Sequence, residues 1–231
     1  MKTPATSTTL FSALCGAMVY LTLMAETARA TGGPGTDTGA PAGQYQLDPT
    51  HSSLSFSVNH LGLSNYVVRF TSYTVLLQYD PAQPGKSSVT ASIDPASLRT
   101  YYPADYRASH PNSKFASWDE DLAQSEKFFN AGKFPQIAFR STAVRSAGPG
   151  SLHITGELTL LGQTHPVELD ATLVGSTASH PMQPGRAAIG FSAHGSLARS
   201  AFGMDSFLSP PLIGDTVTVQ FEGEFQQAGN P

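Results

Sequence analysis

Histidine is the residue type in this sequence best suited to bind a metal ion or to move a proton near neutral pH, and the chain has seven. Zinc sites need closely spaced ligands, as in His-Glu-x-x-His, and no close pair of histidines occurs. Along a strand, odd- and even-numbered residues point to opposite faces, and we call this the parity of a residue. His153 and His194 have the parity opposite to that of their apolar neighbours, which predicts exposed side chains. Three others fall in predicted loops: His110, His165 and His180. We therefore predict no metal site.

His60 differs from these histidines because it shares the parity of Phe56 and Val58 near the end of a predicted strand. Two interpretations fit this position. The side chain hydrogen-bonds the head group of a ligand, or it is a buried structural histidine with its own partner. The sequence leaves both open. His51 is expected to anchor the first strand.

Three consecutive carboxylates, Asp119, Glu120 and Asp121, are the strongest candidates for acid–base chemistry. However, Ser117 followed by Glu120 forms a capping box, so these residues are predicted to begin a helix instead. No Gly-x-Ser-x-Gly motif occurs. Lys86 lies in a segment like the end of a P-loop, but the first glycine of that motif is missing. We predict no catalytic residue, no cofactor and no enzymatic activity.

The N-terminal segment resembles a targeting signal. Lys2 precedes an apolar run from Leu10 to Met24, and Ala28-Arg29-Ala30 matches a small-x-small cleavage site. The run is shorter than the roughly 20 residues that span a membrane. We therefore predict that residues 1–30 are a signal peptide cut after Ala30, that the protein is periplasmic or secreted, and that it has no stable membrane anchor.

The remaining chain is expected to form one domain. Residues 31–43 are mostly Gly, Pro, Thr and Ala and are predicted to be a flexible linker, residues 44–227 the folded domain, and residues 228–231 a disordered tail. The only cysteine, Cys15, lies in the predicted signal peptide, so the mature domain has no disulfide. A formal net charge of −4 without basic runs argues against nucleic-acid binding. An isologous homodimer is common on general grounds, and the sequence adds nothing for or against it.

Alternating apolar and polar residues dominate this domain and predict β-strands. The clearest pattern is a hairpin over residues 152–173, with a six-residue link from Leu161 to Pro166. Val67 to Tyr79 is a long strand candidate whose parity changes, which predicts a bulge between Thr71 and Thr74. Further strands are predicted at 45–47, 54–60, 89–93, 137–145, 187–197 and from Val217. Residues 101–116 and 200–215 are predicted loops, and Trp118 to Ala131 is the predicted helix.

Eight or nine antiparallel strands with one helix predict an all-β fold, either a barrel or a sandwich. A barrel of about eight strands is wide enough for one small ligand. Parity then predicts which side chains point inward: Phe56, Val58, Phe70, Leu77, Ile137, Phe139, Ile154, Leu158, Leu169, Phe191, Val219 and Phe221. Periodicity alone favours a solid core formed by these residues over a ligand-binding tunnel.

Several segments resemble the YceI family of periplasmic lipid- and polyisoprenoid-binding proteins. The matching stretches follow the family's order along the chain: residues 45–52, 56–61, 128–129, 134–142, 156–167, 190–191, 199, 202–204 and 214–217. The resemblance covers nearly all of the chain from Tyr45 to Phe225. It implies an extended, lipocalin-like, eight-stranded antiparallel β-barrel with one short helix.

The resemblance also implies a function. It implies a tunnel that holds a long apolar lipid, such as a polyisoprenoid, an isoprenoid quinone or a fatty chain, for transport, storage or sequestration. The inward residues, His60 and the loop residues Phe202 and Phe207 would then contact the lipid. The alternative is a solid-core barrel that binds a protein partner through residues 101–117. A continuous apolar cavity would distinguish the two.

The chain departs from the family pattern in three places. Asp121 stands where the family often has histidine, about a dozen extra residues lie within 101–117, and Ala201 replaces an expected aspartate. These departures bear on the mouth of the tunnel and the identity of the ligand more than on the fold.

Overall fold

The computed structural model describes residues 39–208 and 212–229. The predicted signal peptide, residues 31–38 of the predicted linker and the last two residues of the predicted tail lie outside these ranges. Within the described ranges, no helix is long and apolar enough to cross a bilayer. Ordered structure starts before the predicted boundary at residue 44. Ala40 is buried, and the Tyr45 hydroxyl donates to the Pro41 carbonyl over 2.7 Å.

Ten strand segments form one antiparallel sheet. Their bounds are β1 Gly43–His60, β2 Ser64–Phe70, β3 Tyr73–Tyr79, β4 Ser88–Ile93, β5 Leu98–Arg99, β6 Ile137–Gly148, β7 Ser151–Leu160, β8 Gln163–Thr177, β9 Ala188–Ala198 and β10 Ile213–Gln227. The order is β10-β9-β8-β7-β6-β4-β3-β1-β2-β5, and β1 also pairs with β10, which closes the sheet. Since β2 and β3 lie end to end beside β1 and β5 has two residues, the barrel has eight strands, as predicted.

The first strand is much longer than its sequence suggested. The sequence predicts separate strands at residues 45–47 and 54–60, but β1 continues through Asp48-Pro49 with only a register shift between Leu47 and Ser52. The predicted strand from Val67 to Tyr79 is divided into β2 and β3 at Thr71-Ser72, within the predicted bulge. The Thr71 N–H and hydroxyl both bond to Ser97, which holds this interruption in place.

The hairpin between β7 and β8 turns more tightly than predicted. Leu160 pairs with Gln163, so the connection is only Leu161 and Gly162, which have φ of 52° and 75°. Positive φ at both positions is the geometry of a type I′ turn, which matches the twist of the strands. His165 and Pro166 therefore lie in β8 rather than in a loop, beyond the part of β8 that pairs with β9.

Two short helices and the residues that follow them cover one end of the barrel. Helix α1 spans Tyr106–Ser109, within the predicted loop, and helix α2 spans Trp118–Gln124. The Ser117 N-cap is confirmed, since its hydroxyl accepts from the Glu120 N–H over 3.1 Å. The Glu120 carboxylate accepts from the Ala116 N–H over 2.6 Å, one residue before the partner that a capping box uses.

Helix α2 ends seven residues earlier than the predicted Ala131. Ser125 adopts an extended conformation, and the chain then folds back along the helix. The Phe129 N–H donates to the Leu122 carbonyl and the Ala131 N–H to the Ala123 carbonyl. This return buries the Phe129 ring, which would lie further along the axis if the helix continued.

Arg199 organises the long connection before β10. It begins a short 3-10 helix, Arg199–Phe202, and its guanidinium is buried. The guanidinium donates to the carbonyls of Met204, Ile213 and Gly214 over 2.7, 3.0 and 2.8 Å. Burial lowers the pKa of Arg199. Hydrogen bonds that the Ser200 N–H and hydroxyl donate to the Asp215 carboxylate lower the pKa of Asp215.

Aromatic rings fill the other end of the barrel. Tyr45 and Tyr79 meet edge to face at 6.1 Å, and Tyr79 contacts Phe191 in the same way at 6.0 Å. Phe225 packs beside Phe191. Burial, with a smaller effect from Tyr79, raises the pKa of Tyr45 to about 12. This end is therefore filled by side chains, while the end beside α2 is not.

Candidate functional site

The barrel interior contains two apolar chambers, which share part of their wall and are together called the cavity below. The upper chamber, beside α2, has a volume of about 500 Å³. The lower chamber, toward the Tyr45 end, has a volume of about 180 Å³. Five residues line both chambers and form a belt between them: Leu54, Ile93, Leu158, Leu197 and Val219. The cavity contradicts the expectation, drawn from periodicity alone, that the core is solid.

Fourteen of the fifteen residues proposed from the sequence line this cavity. The upper chamber includes Phe56, Val58, His60, Phe70, Ile137 and Phe207. The lower chamber includes Leu77, Phe139, Ile154, Leu169, Phe191 and Phe221. Leu158 and Val219 are in the belt. The inward parity of these strands is thus correct, and contact of these side chains with a ligand remains a prediction.

Phe202 is the exception, because it does not line the cavity. The side chain is 1% exposed and lines neither chamber. Its ring meets the His165 ring edge to face at 5.0 Å. Because the 3-10 helix turns Phe202 into the packed wall beside β8, it supports the cavity from outside.

The upper chamber opens to solvent between the β1–β2 turn and the residues before β10. Phe207 and Leu212 line the chamber and are each 39% exposed, which places them at its mouth. The Leu61 N–H donates to the Leu212 carbonyl over 2.9 Å, so the β1–β2 turn lies beside them. Leu63 at this turn is 84% exposed. The mouth is therefore rimmed by exposed apolar side chains.

The extra residues within 101–117 form part of this mouth. The Tyr106 ring stacks on His110 at 4.6 Å, and both rings meet Trp118 edge to face. The Tyr106 hydroxyl donates to the Asp121 carboxylate over 2.8 Å. Since His110, Trp118 and Asp121 all line the upper chamber, the insertion builds one side of its wall.

The residues first considered for chemistry have other roles. His60 is exposed at the mouth, so the interpretation as a buried structural histidine is wrong, and its contact with a head group remains a prediction. Asp119 accepts bonds from the Thr100 N–H and hydroxyl, each over 2.8 Å. Across residues 39–208 and 212–229, no group of three His, Cys, Asp or Glu side chains is arranged to hold a metal ion.

Several lining residues were not proposed from the sequence. The alternation along the strands would have predicted Tyr66 and Val68, since they lie on the same face of β2 as Phe70. It would also have predicted Val217, which lies on the same face of β10 as Val219. Helical spacing places Leu122 and Phe129 on one face of the predicted helix, but the positions of Phe128 and Phe129 in the wall depend on how the chain folds back after α2. Burial raises the pKa of Tyr66, so its hydroxyl stays protonated and can donate a hydrogen bond.

Comparison with known proteins gives consistent matches over this barrel. The model of the YceI-like domain matches residues 45–225. A UPF0312 protein of Shewanella oneidensis is 32% identical over 203 residues, covering 87% of this chain and 90% of the relative. A UPF0312 protein of Vibrio cholerae is 35% identical over 139 residues, covering 59% of this chain and 66% of the relative, slightly under two thirds of its length.

Solved structures match the same fold. The YCEI protein of Campylobacter jejuni has a TM-score of 0.60 at 26% identity and covers 74% of this chain and 90% of its own. A domain from Saccharophagus degradans, described as polyisoprenoid binding and implicated in plant cell wall breakdown, has a TM-score of 0.53 at 14% identity. It covers 80% of this chain and 98% of its own. At that identity the likeness supports the fold alone.

Proposed function

Because the chain belongs to the YceI-like domain family, we propose that it is a binding protein that holds a long apolar lipid inside its barrel for transport, storage or sequestration. The two-chambered cavity is the observation that carries this proposal. The candidate lipids are a polyisoprenoid, an isoprenoid quinone or a fatty chain. The description of the Saccharophagus degradans domain as polyisoprenoid binding supports the first of these.

The energetics of an apolar chain in this cavity are favourable. Burying about ten CH₂ groups at about 0.8 kcal/mol each gives roughly 8 kcal/mol before the costs of ordering and association. Micromolar or tighter binding therefore needs few polar contacts. The chamber walls provide this environment, since apolar side chains make up most of both.

The proposal extends to where the protein acts and how. The predicted signal peptide directs the chain to the periplasm or outside the cell, where a protein that shields a lipid tail from water is needed. The end of the domain at residue 227, the absence of a cofactor and the absence of catalysis are parts of the same proposal. The cavity argues against the alternative of a solid-core barrel that binds a protein partner. Residues 101–117, the segment that this alternative uses for the partner, pack at the mouth of the upper chamber.

The first test is the content of the cavity. Protein purified without detergent is extracted with organic solvent, and the extract is analysed by lipid mass spectrometry. We expect an isoprenoid or fatty species in about equal molar amount to the protein. An empty extract, together with no uptake of added polyprenyl or quinone lipids by native mass spectrometry, would overturn the proposal.

A second test asks whether the tail reaches the lower chamber. Ala193 lines that chamber, and its neighbour His194 is on the opposite, exposed face of β9. Ala193→Phe should weaken binding of long-chain lipids more than that of short-chain lipids. His194→Phe is the matched control and should change neither. No loss of binding for either chain length would place the tail entirely in the upper chamber.

A further inference from the structure

Exposed apolar side chains are concentrated around the mouth of the upper chamber. Among the described residues, ten large apolar side chains are exposed. Five of these ten belong to segments that meet at the mouth, and we call them the rim: Leu61, Leu63, Tyr102, Phe207 and Leu212. Single exposed apolar residues are ordinary on a protein surface, but a group of them around one opening marks a surface that binds something.

Three separate segments of the chain bring the rim together. The Leu61 N–H donates to the Leu212 carbonyl over 2.9 Å, and the Leu212 N–H donates to the Phe207 carbonyl over 3.1 Å. These bonds hold the β1–β2 turn beside the connection that precedes β10. Tyr102, at the start of the insertion, stacks on Tyr66 at 4.9 Å, and Tyr66 lines the upper chamber.

The rim is continuous with the interior of the upper chamber. Phe207 and Leu212 line the chamber and are also exposed, so each side chain borders both the cavity and the solvent. A lipid that enters through the mouth passes between these side chains. The surface outside the mouth therefore has to meet the source of the lipid, which favours a bilayer as the partner of the rim over another protein.

The backbone of the β1–β2 turn is compatible with an apolar environment. The Leu61 N–H is bonded to the connection before β10, the Gly62 N–H donates to the side-chain oxygen of Asn59 over 2.7 Å, and the Leu63 N–H donates to the His60 carbonyl over 3.0 Å. An unpaired backbone N–H is costly in lipid because no water is there to accept from it. Since all three N–H groups of this turn are paired within the protein, its two leucines can enter a bilayer without that cost.

The charges near the rim have both signs. The Lys127 ammonium lies 5.5 Å from the centroid of the Phe207 ring, and its side chain is exposed. Glu126 precedes it, and Asp205 lies two residues before Phe207; both of these carboxylates are exposed as well. Preference for anionic lipids needs a cluster of basic residues. The rim therefore fits a bilayer through apolar contact, with little dependence on the charge of the head groups.

We propose that the rim docks the mouth of the upper chamber on the surface of a lipid bilayer. Leu61 and Leu63 enter the boundary between head groups and acyl chains, and Tyr102 lies at the level of the head groups, where tyrosine is commonly found. This inference rests on the proposed function, because it gives the route by which the same lipid reaches the cavity. A docked mouth lets the tail pass from bilayer to chamber without exposure to water.

The test compares two equally exposed side chains at opposite ends of the barrel. Leu63 in the rim and Met182 are each 84% exposed, and neither lines a chamber. Met182 lies in the connection between β8 and β9. This connection is at the Tyr45 end of the barrel, since β9 begins with Ala188 beside the end of β10. Leu63→Ser and Met182→Ser therefore remove similar apolar surface from the two ends.

Binding is measured by flotation with phosphatidylcholine vesicles at low and at high salt. We expect the parent protein to float with the vesicles in both. Leu63→Ser should weaken this binding about tenfold, because one leucine no longer leaves water, and Met182→Ser should not change it. Native mass spectrometry without vesicles should show that both variants hold added polyprenol as tightly as the parent, because neither substitution alters the cavity wall.

Docking and lipid binding can fail separately in this experiment. A parent protein that takes up polyprenol but does not float with vesicles would overturn the docking and leave the proposed function standing. Equal weakening by Leu63→Ser and Met182→Ser, or flotation only with vesicles of anionic phosphatidylglycerol, would also overturn it. If Leu63→Ser instead converts a dimer into a monomer in analytical ultracentrifugation and leaves flotation unchanged, the rim is an interface between copies. Failure to take up any lipid would overturn the proposed function itself.

Discussion

Gly156 lies directly against the ring of Phe139, across the β6–β7 pair. A Cβ atom added at Gly156 would be 2.4 Å from two atoms of this ring and 2.7 Å from the Arg140 carbonyl oxygen. Since Phe139 lines the lower chamber, the missing side chain at Gly156 leaves the space that its ring occupies in the wall. The glycine is required here by close approach, because its backbone does not have a positive φ.

Gly156→Ala should therefore destabilise the barrel. The Phe139 ring and the Arg140 backbone would both have to move, and we expect a loss of about 1–3 kcal/mol in the free energy of unfolding. Urea denaturation measures it. Gly175→Ala is the control, because nothing lies within 4 Å of a Cβ at that position. Equal effects of the two substitutions would contradict this account.

Arg199 should be more important for stability than an exposed arginine. Arg199→Lys keeps the charge but cannot reach three carbonyls in the planar arrangement of the guanidinium, so we expect a loss of about 2–4 kcal/mol. Arg69→Lys, on the exposed side of β2, should change the free energy of unfolding by less than about 0.5 kcal/mol. The comparison is made by urea denaturation of both variants. If Arg199→Lys lowers the free energy of unfolding no more than Arg69→Lys does, the three hydrogen bonds of Arg199 make no net contribution to stability.

A charge placed in either chamber should abolish lipid binding. Phe56→Asp introduces a carboxylate in the upper chamber and Phe191→Asp in the lower one, and each should also cost at least about 3 kcal/mol of stability. Leu76→Asp is the control, because Leu76 is 55% exposed on β3. Binding is measured by native mass spectrometry on the folded fraction alone. Unchanged binding in folded Phe56→Asp and Phe191→Asp would place the tunnel elsewhere.

The pair formed by His51 and Asp48 should make stability depend on pH. A hydrogen bond that the His51 ring donates to the Asp48 carboxylate, with the charges of Glu224 and Asp48, raises the pKa of His51 above its ordinary 6.5. The stabilisation is therefore complete below pH 6.5 and is lost as the pH rises through the pKa of the folded state. Hydrogen bonds donated by Thr50 and His51 lower the pKa of Asp48 from 3.8 to about 2. The contribution of Asp48 to the free energy of unfolding is therefore present above pH 3.8 and is lost as the pH falls toward about 2.

Proton NMR titration of His51 measures the first of these shifts. In Asp48→Asn the pKa of His51 should fall toward 6.5 but stay slightly above it, because Glu224 remains. The pKa of His153, which Asp170 raises independently, should not change in this variant and is the internal control. A His51 pKa that is the same in both proteins would show that the pair does not form in solution.

Strand positions and inward faces could be predicted from the sequence because alternation is a local property. Leu54 to His60 and Val217 to Phe221 point as their parity indicates, and the N-cap at Ser117 fixed the start of α2 correctly. The register of pairing could not be predicted in the same way. That β1 continues through Asp48-Pro49 depends on its two neighbouring strands, β3 and β10, which are distant in the sequence.

The mouth of the cavity was the least predictable region, for a physical reason. Its residues come from the insertion, from the return after α2 and from the connection before β10, where no periodic pattern exists. Leu122, Phe128 and Phe207 meet there through tertiary packing, including the stacking of Phe128 on Phe207 at 6.1 Å.

Closure of the barrel by β1 and β10 has a consequence for how the chain acquires its structure. Tyr45 pairs with Gln227, so one edge of β1 stays without a neighbouring strand until β10 has been synthesised. Contacts this distant in sequence give a high contact order and slow folding. A chain that stops before Ile213 leaves β1 and β9 as open edges beside an apolar interior, which is a template for aggregation. Completion of synthesis, including β10, is thus a condition for closing the barrel.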